Sequence, residues 1–230
     1  MTQQAHTVKT RVWDLPTRLF HLLLMLCVLG LVITGGNGDF AMVVHFYLGY
    51  TVLTLVFFRI IWGVFGGYWS RFATFSPSPS SLLSYLRNLN NPNAKPSVGH
   101  NPLGAMSVFG FLLVLLLQAL SGLMSDDTIS ISGPWSPLVP NAWVEFATRY
   151  HADIGFPLIF VLVGVHIAAV LYYLHAKKQN LILPMIHGDK LVSPATPASR
   201  DSLQTRLIAL VVVVSCAYVV YRLVSLSAAA

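Results

Sequence analysis

Five runs of about twenty mostly apolar residues, near 15–35, 45–65, 103–124, 151–175 and 207–225, constrain this chain more than any other feature. Each is long enough to cross roughly 30 Å of hydrocarbon as a helix. Helices satisfy their own backbone N–H and C=O groups, which lipid cannot do for them. The chain has 230 residues, 55% of them hydrophobic and only 10% charged, and a mean hydropathy of +0.68. That balance is far from the average of soluble domains. The expected fold class is all-α, an integral membrane helical bundle with no soluble domain of any size.

Basic residues alternate between the connections. Lys9, Arg11 and Arg18 precede or open the first run; Arg71, Arg87 and Lys95 lie between the second and third; Lys177, Lys178, Lys190, Arg200 and Arg206 lie between the fourth and fifth. The first connection carries none, and the third carries Asp126, Asp127 and Glu145 against Arg149. The positive-inside rule then places the N-terminus in the cytoplasm and, after five spans, the C-terminus outside. The net charge of +6 follows from this one-sided distribution, and with no soluble module to hold nucleic acid it is read as membrane topology. The first run is longer than a signal-peptide core and leads to TGGNGD rather than to a small-residue cleavage site, so it is read as a retained helix.

Histidines inside apolar helices call for a function. His151 opens the fourth run and His166 follows fifteen residues on; on a continuous α-helix they stand roughly 22 Å apart along the axis and about 60° around it. Gly155 lies on nearly the same stripe, where a flat bulky group could approach the backbone. The second run opens with His45 and Gly49, repeating the HxxxG of His151 and Gly155. With the deduced topology His45 and His151 share the outer level, while His21, just inside the first run, and His166 share the inner half. Two pairs at two depths are what bis-histidine ligation of two haems requires, with axial pairs His45/His151 and His21/His166. His100 competes with His166 as the partner of His21. His6, in the polar N-terminal stretch, receives no role, and His175 and His187 are read as headgroup-region residues.

The chain has two cysteines, Cys27 and Cys216, both inside apolar runs, and no CxxCH, so any haem is noncovalent and b-type. Arg18 and Arg59 are internal or near-internal cations. Each either snorkels to lipid phosphate or holds a haem propionate.

RVWDLPTRLFH, HFYLGYTVLTLVFFRIIWGVFGGYWSRF, GHNPLGA and the HADIG-to-His166 stretch resemble the bacterial cytochrome b561 family, which is similar to the nickel-iron hydrogenase cytochrome b subunit. The resemblance covers roughly residues 10–190. It implies a four-helix di-haem core in the bacterial inner membrane, exchanging electrons between membrane quinone and a redox partner, with His21, His45, His151 and His166 as ligands. The chain is therefore read as an electron-transfer subunit that couples quinone to a periplasmic or outer-face protein such as a cytochrome c, a hydrogenase or another quinone-linked oxidoreductase. Residues 1–190 form the expected di-haem domain. Residues 191–230 form a linker and an additional C-terminal membrane helix, a departure from the four-helix core.

Two rival readings use the same histidines. A metal or small-molecule transporter would hold transient ligands beside mid-membrane acidic or amide groups and broken helices; Gln118 is present, but no mid-span carboxylate. A passive membrane anchor would bury isolated histidines as packed polar groups, which four histidines in two matched levels do not resemble.

Overall fold

The computed structural model describes residues 7–36, 38–89, 91, 96–128 and 131–228; His6 and Lys95 lie outside them. Five long apolar helices able to span a membrane dominate: α1 (Leu15–Thr34), α2 (Asp39–Phe65), α4 (Pro102–Met124), α6 (Phe156–His175) and α8 (Leu203–Val224). Shorter helices are α3 (Pro79–Arg87), α5 (Asn141–Arg149) and α7 (Ile182–His187), and the strands β1 (Val8–Arg11) and β2 (Asp189–Val192) form an antiparallel ribbon. The protein is thus an all-α, multi-pass membrane protein, with one polar ribbon that hydrophobic patterning does not reveal.

The second and fourth spans begin well before their apolar runs. Gly36 and Gly38 take φ of 76° and 87°, a left-handed region that glycine enters without steric cost, and α2 starts immediately after them. His45 therefore sits inside α2 rather than at its start. The fourth span is continuous helix from Asn141 to His175, and its stretch Tyr150–Gly155 is a π-helix in which the Phe156 N–H donates to the His151 carbonyl. Pro157 supplies the cause: it has no N–H to donate and its ring excludes the carbonyl one α-turn back. The uniform 100° step assumed for an unbroken α-helix fails across this segment.

The chain packs as two compact units. One comprises Met1–Leu19, Ile61–Phe109 and Val165–Ala209. Its centre is Asp14, fully buried, whose carboxylate accepts from Thr17 N at 2.8 Å, Trp62 Nε1 at 3.2 Å, Gly67 N at 3.1 Å and Ser70 Oγ at 2.7 Å. Asp14 is the N-cap of α1 and at the same time ties the end of α2 and the following turn to it. A Cβ on Gly67 would lie 2.4 Å from Asp14 Oδ2, so the close approach requires glycine there.

In the same unit the ribbon is charged. Arg11 pairs with Asp189 at 2.7 Å and with Asp201 at 3.1 Å, and Arg206 pairs with Asp201 at 3.1 Å. Burial pushes the Asp201 carboxyl up, but hydrogen bonds from Arg206 and the Leu15 N–H, with the charges of Arg206 and Arg11, outweigh it and hold it below the usual carboxylate range. Lys190 donates to the carbonyls of Ser97 at 2.6 Å and Val98 at 3.1 Å, and burial lowers its pKa. The segment leading to α8 is pinned as well: Trp69 Nε1 donates to Pro197 O at 2.8 Å, and Ser199 Oγ donates to Val12 O at 2.6 Å. Ser78 caps α3 by accepting from Ser81 N at 3.1 Å. Tyr85 then meets Tyr173 and Lys177 reaches the Leu89 carbonyl, which fastens α3 to the end of α6.

The second unit comprises Phe20–Ile60, Gly110–Gly164 and Leu210–Ala230. Leu53 of α2, Leu123 of α4 and Val220 of α8 form its buried apolar centre, with Tyr50, Phe57, Leu116 and Trp135 packed around them. Trp135 Nε1 donates to the Leu223 carbonyl at 2.7 Å, which satisfies one of the carbonyls that a helix end leaves without an intrahelical partner. The C-terminal helix is therefore an integral wall of this unit.

Candidate functional site

Within the second unit, α2 presents His45 and the π-turn presents His151 with ring centroids 6.2 Å apart and planes at 72°. Each ring is held from behind by backbone or hydroxyl oxygen. His151 Nδ1 donates to the Gln118 carbonyl at 2.9 Å, with Ser121 Oγ 3.4 Å away. The His45 ring hydrogen-bonds to the Leu31 carbonyl, and its Nδ1 lies 3.3 Å from Thr34 Oγ1. Thr34 itself donates to Gly30 O at 2.7 Å, so its oxygen faces His45 as an acceptor. Anchoring Nδ1 fixes the tautomer and leaves Nε2 as the lone-pair donor.

The donor set fits a haem iron between the two rings. Two metal–imidazole bonds of about 2 Å each, with the offset from nitrogen to ring centre at both ends, add to about 6 Å, which matches the observed separation. Glycine makes room for the His151 ring: a Cβ on Gly122 would lie 2.8 Å from His151 Cε1, whereas one on Gly35 would stand in ordinary contact, 3.6 Å from His45 Cε1. Beside Gly49, among the described residues, no atom stands within 4 Å of where a Cβ would be, whereas the corresponding place at Gly155 is filled by Gln118 Oε1. The two HxxxG glycines thus have different neighbours.

The remaining sequence-identified residues are distributed as follows. His21 is half-buried in α1 and His166 half-buried in α6; they belong to different units. Arg59 is 2% exposed in the last third of α2. Arg18 donates to the Ile186 carbonyl, and its buried Nε has no hydrogen-bond partner among the described residues. His100 packs between Trp13 and Phe75, with centroids at 4.7 Å and 4.3 Å, immediately ahead of Asn101, which caps α4 by accepting from Gly104 N at 2.7 Å. His175 and His187 are exposed.

Sequence reasoning missed Asp14, Thr34 and Ser121, and weighed Gln118 as a mid-membrane amide rather than as a partner of His151. Asp14 carried a signal, since Asp followed by Pro and Thr ahead of an apolar run is an N-cap pattern. Thr34 and Ser121 carried none, because which helices meet is not written in either residue's own neighbourhood.

Comparison with curated proteins and with solved structures finds no match. The family model for prokaryotic cytochrome b561 matches residues 12–188, most of the chain, a span that holds His21, His45, His151 and His166. Members of this family are membrane di-haem b cytochromes of electron transfer, and the chain belongs to the prokaryotic cytochrome b561 family.

Proposed function

We propose that this chain relays electrons across the membrane between the quinone pool and a redox protein at the outer face, such as a cytochrome c, a hydrogenase or another oxidoreductase. The His45–His151 pair, 6.2 Å between ring centroids with both Nδ1 edges engaged, carries the proposal. A b-type haem bound there supplies a one-electron iron couple whose potential the axial ligands and burial set. If His45 and His151 both held the iron, no coordination position would be left for substrate, which favours relay over bond-making chemistry. The protein's part is to hold the two rings and to exclude water from the apolar bundle around them.

His21 and His166 are the proposed ligands of the second haem, supported by their place in the family-matched segment and by the two-level reading of the sequence. Arg18 and Arg59 are proposed to neutralise propionates; the buried Nε of Arg18, without a hydrogen-bond partner among the described residues, supports an anion there. Gly49 is proposed to let the outer macrocycle approach α2, and the open space beside it supports this. Gly155, whose open side Gln118 fills, is placed by the same reading at the edge of that site. The di-haem domain is taken as residues 1–190, with 191–230 as linker and fifth helix. The chain is placed in the bacterial inner membrane with its N-terminus cytoplasmic and C-terminus outside, on the distribution of lysine and arginine.

A pyridine haemochrome assay and reduced-minus-oxidised spectrum of the purified protein test this reading, with two b-type haems per chain expected. Reduction of both by a quinol in reconstituted vesicles tests the quinone link. Protein made with ample haem that carries none would overturn the proposal.

A further inference from the structure

The Gln118 side chain is tied into the His151 turn in a way that no helix-packing role requires. Its Nε2 donates to the His151 carbonyl at 2.9 Å, while its own main-chain carbonyl accepts from His151 Nδ1 at 2.9 Å. The two residues are therefore joined by a reciprocal pair of hydrogen bonds, one to the backbone and one to the imidazole of the same histidine. Ser121 Oγ donates to the same Gln118 carbonyl at 2.9 Å. The His151 carbonyl also accepts from Phe156 N across the π-turn, so the amide of Gln118 stabilises the irregular backbone on which the histidine is mounted. Gln118 Oε1 is buried without a hydrogen-bond partner among the described residues and lies where a Cβ of residue 155 would be, 1.9 Å from it.

We infer that Gln118 is a positioning residue that clasps His151 and sets the electronic character of the outer haem, and that Gly155 is glycine in order to admit the Gln118 amide. This rests on His45 and His151 being the outer ligands. A firm Nδ1–H···O=C bond gives the ligating imidazole more imidazolate character, which favours ferric iron and lowers the midpoint potential. Loosening the clasp weakens that bond and raises the potential.

Gln118→Met removes the amide at nearly constant length, and Gly155→Ala displaces it while leaving Gln118 in place. Redox titration and low-spin EPR of the purified two-haem protein should show the outer haem moved to higher potential with an altered g-value in both variants, and the inner haem unmoved. The double variant should move it no further than either single one. Wild-type signals in Gln118→Met, or a Gly155→Ala effect that persists undiminished in the Gln118→Met background, would overturn the inference; the second result assigns Gly155 to contact with the macrocycle itself. If Gln118→Met does not accumulate, Gly155→Ala with Gln118→Glu carries the test. A neutral glutamic acid can still donate to the His151 carbonyl, so Gln118→Glu should stay near wild type while Gly155→Ala shifts, and an unshifted Gly155→Ala would overturn the inference. Retention of both haems by His45→Ala and His151→Ala would instead remove the ligand reading beneath it. Loss of one haem there, with no movement in the Gln118 and Gly155 variants, removes only the clasp.

Discussion

His45 and His151 reach each other from α2 and the π-turn with 6.2 Å between ring centroids, and each is restrained on its Nδ1 side. The restraint matters because an imidazole free to rotate would lose side-chain entropy on ligation, whereas these are already oriented.

Replacing either residue with alanine should reduce the b-haem content from two per chain to one and leave the other haem's spectrum in place. His21→Ala and His166→Ala should do the converse, and His100→Ala should keep both, since its ring is already packed between Trp13 and Phe75. Haem stoichiometry by pyridine haemochrome, with a redox titration to tell which haem remains, decides it. Loss of a haem in His100→Ala with retention in His166→Ala would reassign the inner pair.

Gly122 offers a second route to the same site without touching a ligand. A methyl group there would stand 2.8 Å from His151 Cε1, closer than atoms in a packed interior come without something moving. Gly122→Val should therefore abolish or strongly weaken the outer haem while the inner one stays, read as one haem per chain. Gly110→Ala, where nothing lies within 4 Å of the added carbon among the described residues, is the matched control and should keep two.

The spans were legible because twenty apolar residues in a row have few other uses, and the repeated HxxxG marked His45 and His151, whose rings the fold brings within 6.2 Å. The π-turn at Tyr150–Gly155 was not. Pro157 stood in the sequence as its cause, but a proline in a membrane helix can be accommodated by a kink, a turn of π-helix or a side-chain donor, and the choice depends on Gln118 arriving from another helix. The ribbon of β1 and β2 was hidden for a related reason. Its pairing joins residues some 180 positions apart, Val8 with Val192 and Arg11 with Asp189, in segments too short and too charged to show a strand period.

Asp14 tests how much of the first unit depends on one buried carboxylate. Asp14→Ala would take the shared carboxylate acceptor away from the buried Thr17, Trp62 and Gly67 N–H groups and from the Ser70 hydroxyl, which keeps Thr17 Oγ1 at 2.8 Å. Each buried donor left without an acceptor costs roughly 1–3 kcal/mol. The expected outcome is a large drop in the detergent melting temperature or failure to accumulate, with Trp62→Phe, which strands a single acceptor site, costing only about 1–2 kcal/mol. Equal losses in the two variants, measured by thermal size-exclusion chromatography, would mean that the carboxylate is not the organising group.

The Asp201 network predicts a pH dependence with a definite sign. Its carboxyl is held below the usual range by Arg206, the Leu15 N–H and Arg11, against the push of burial. A depressed carboxylate pKa contributes stability that is fully present above the unfolded value, about 3.9, and is lost as pH falls through the folded one. The ribbon should therefore be insensitive to this group between about pH 5 and 8 and loosen only in stronger acid, as Asp201 lets go of Arg11 and Arg206. Hydrogen exchange of the amides in Val8–Arg11 and Asp189–Val192 reads the effect directly. In Asp201→Asn the exchange should be faster at neutral pH and should lose the part of the acid response that Asp201 supplies. Protection at neutral pH equal to that of the unsubstituted protein would show that Asp189 alone holds Arg11 and the strand pair together.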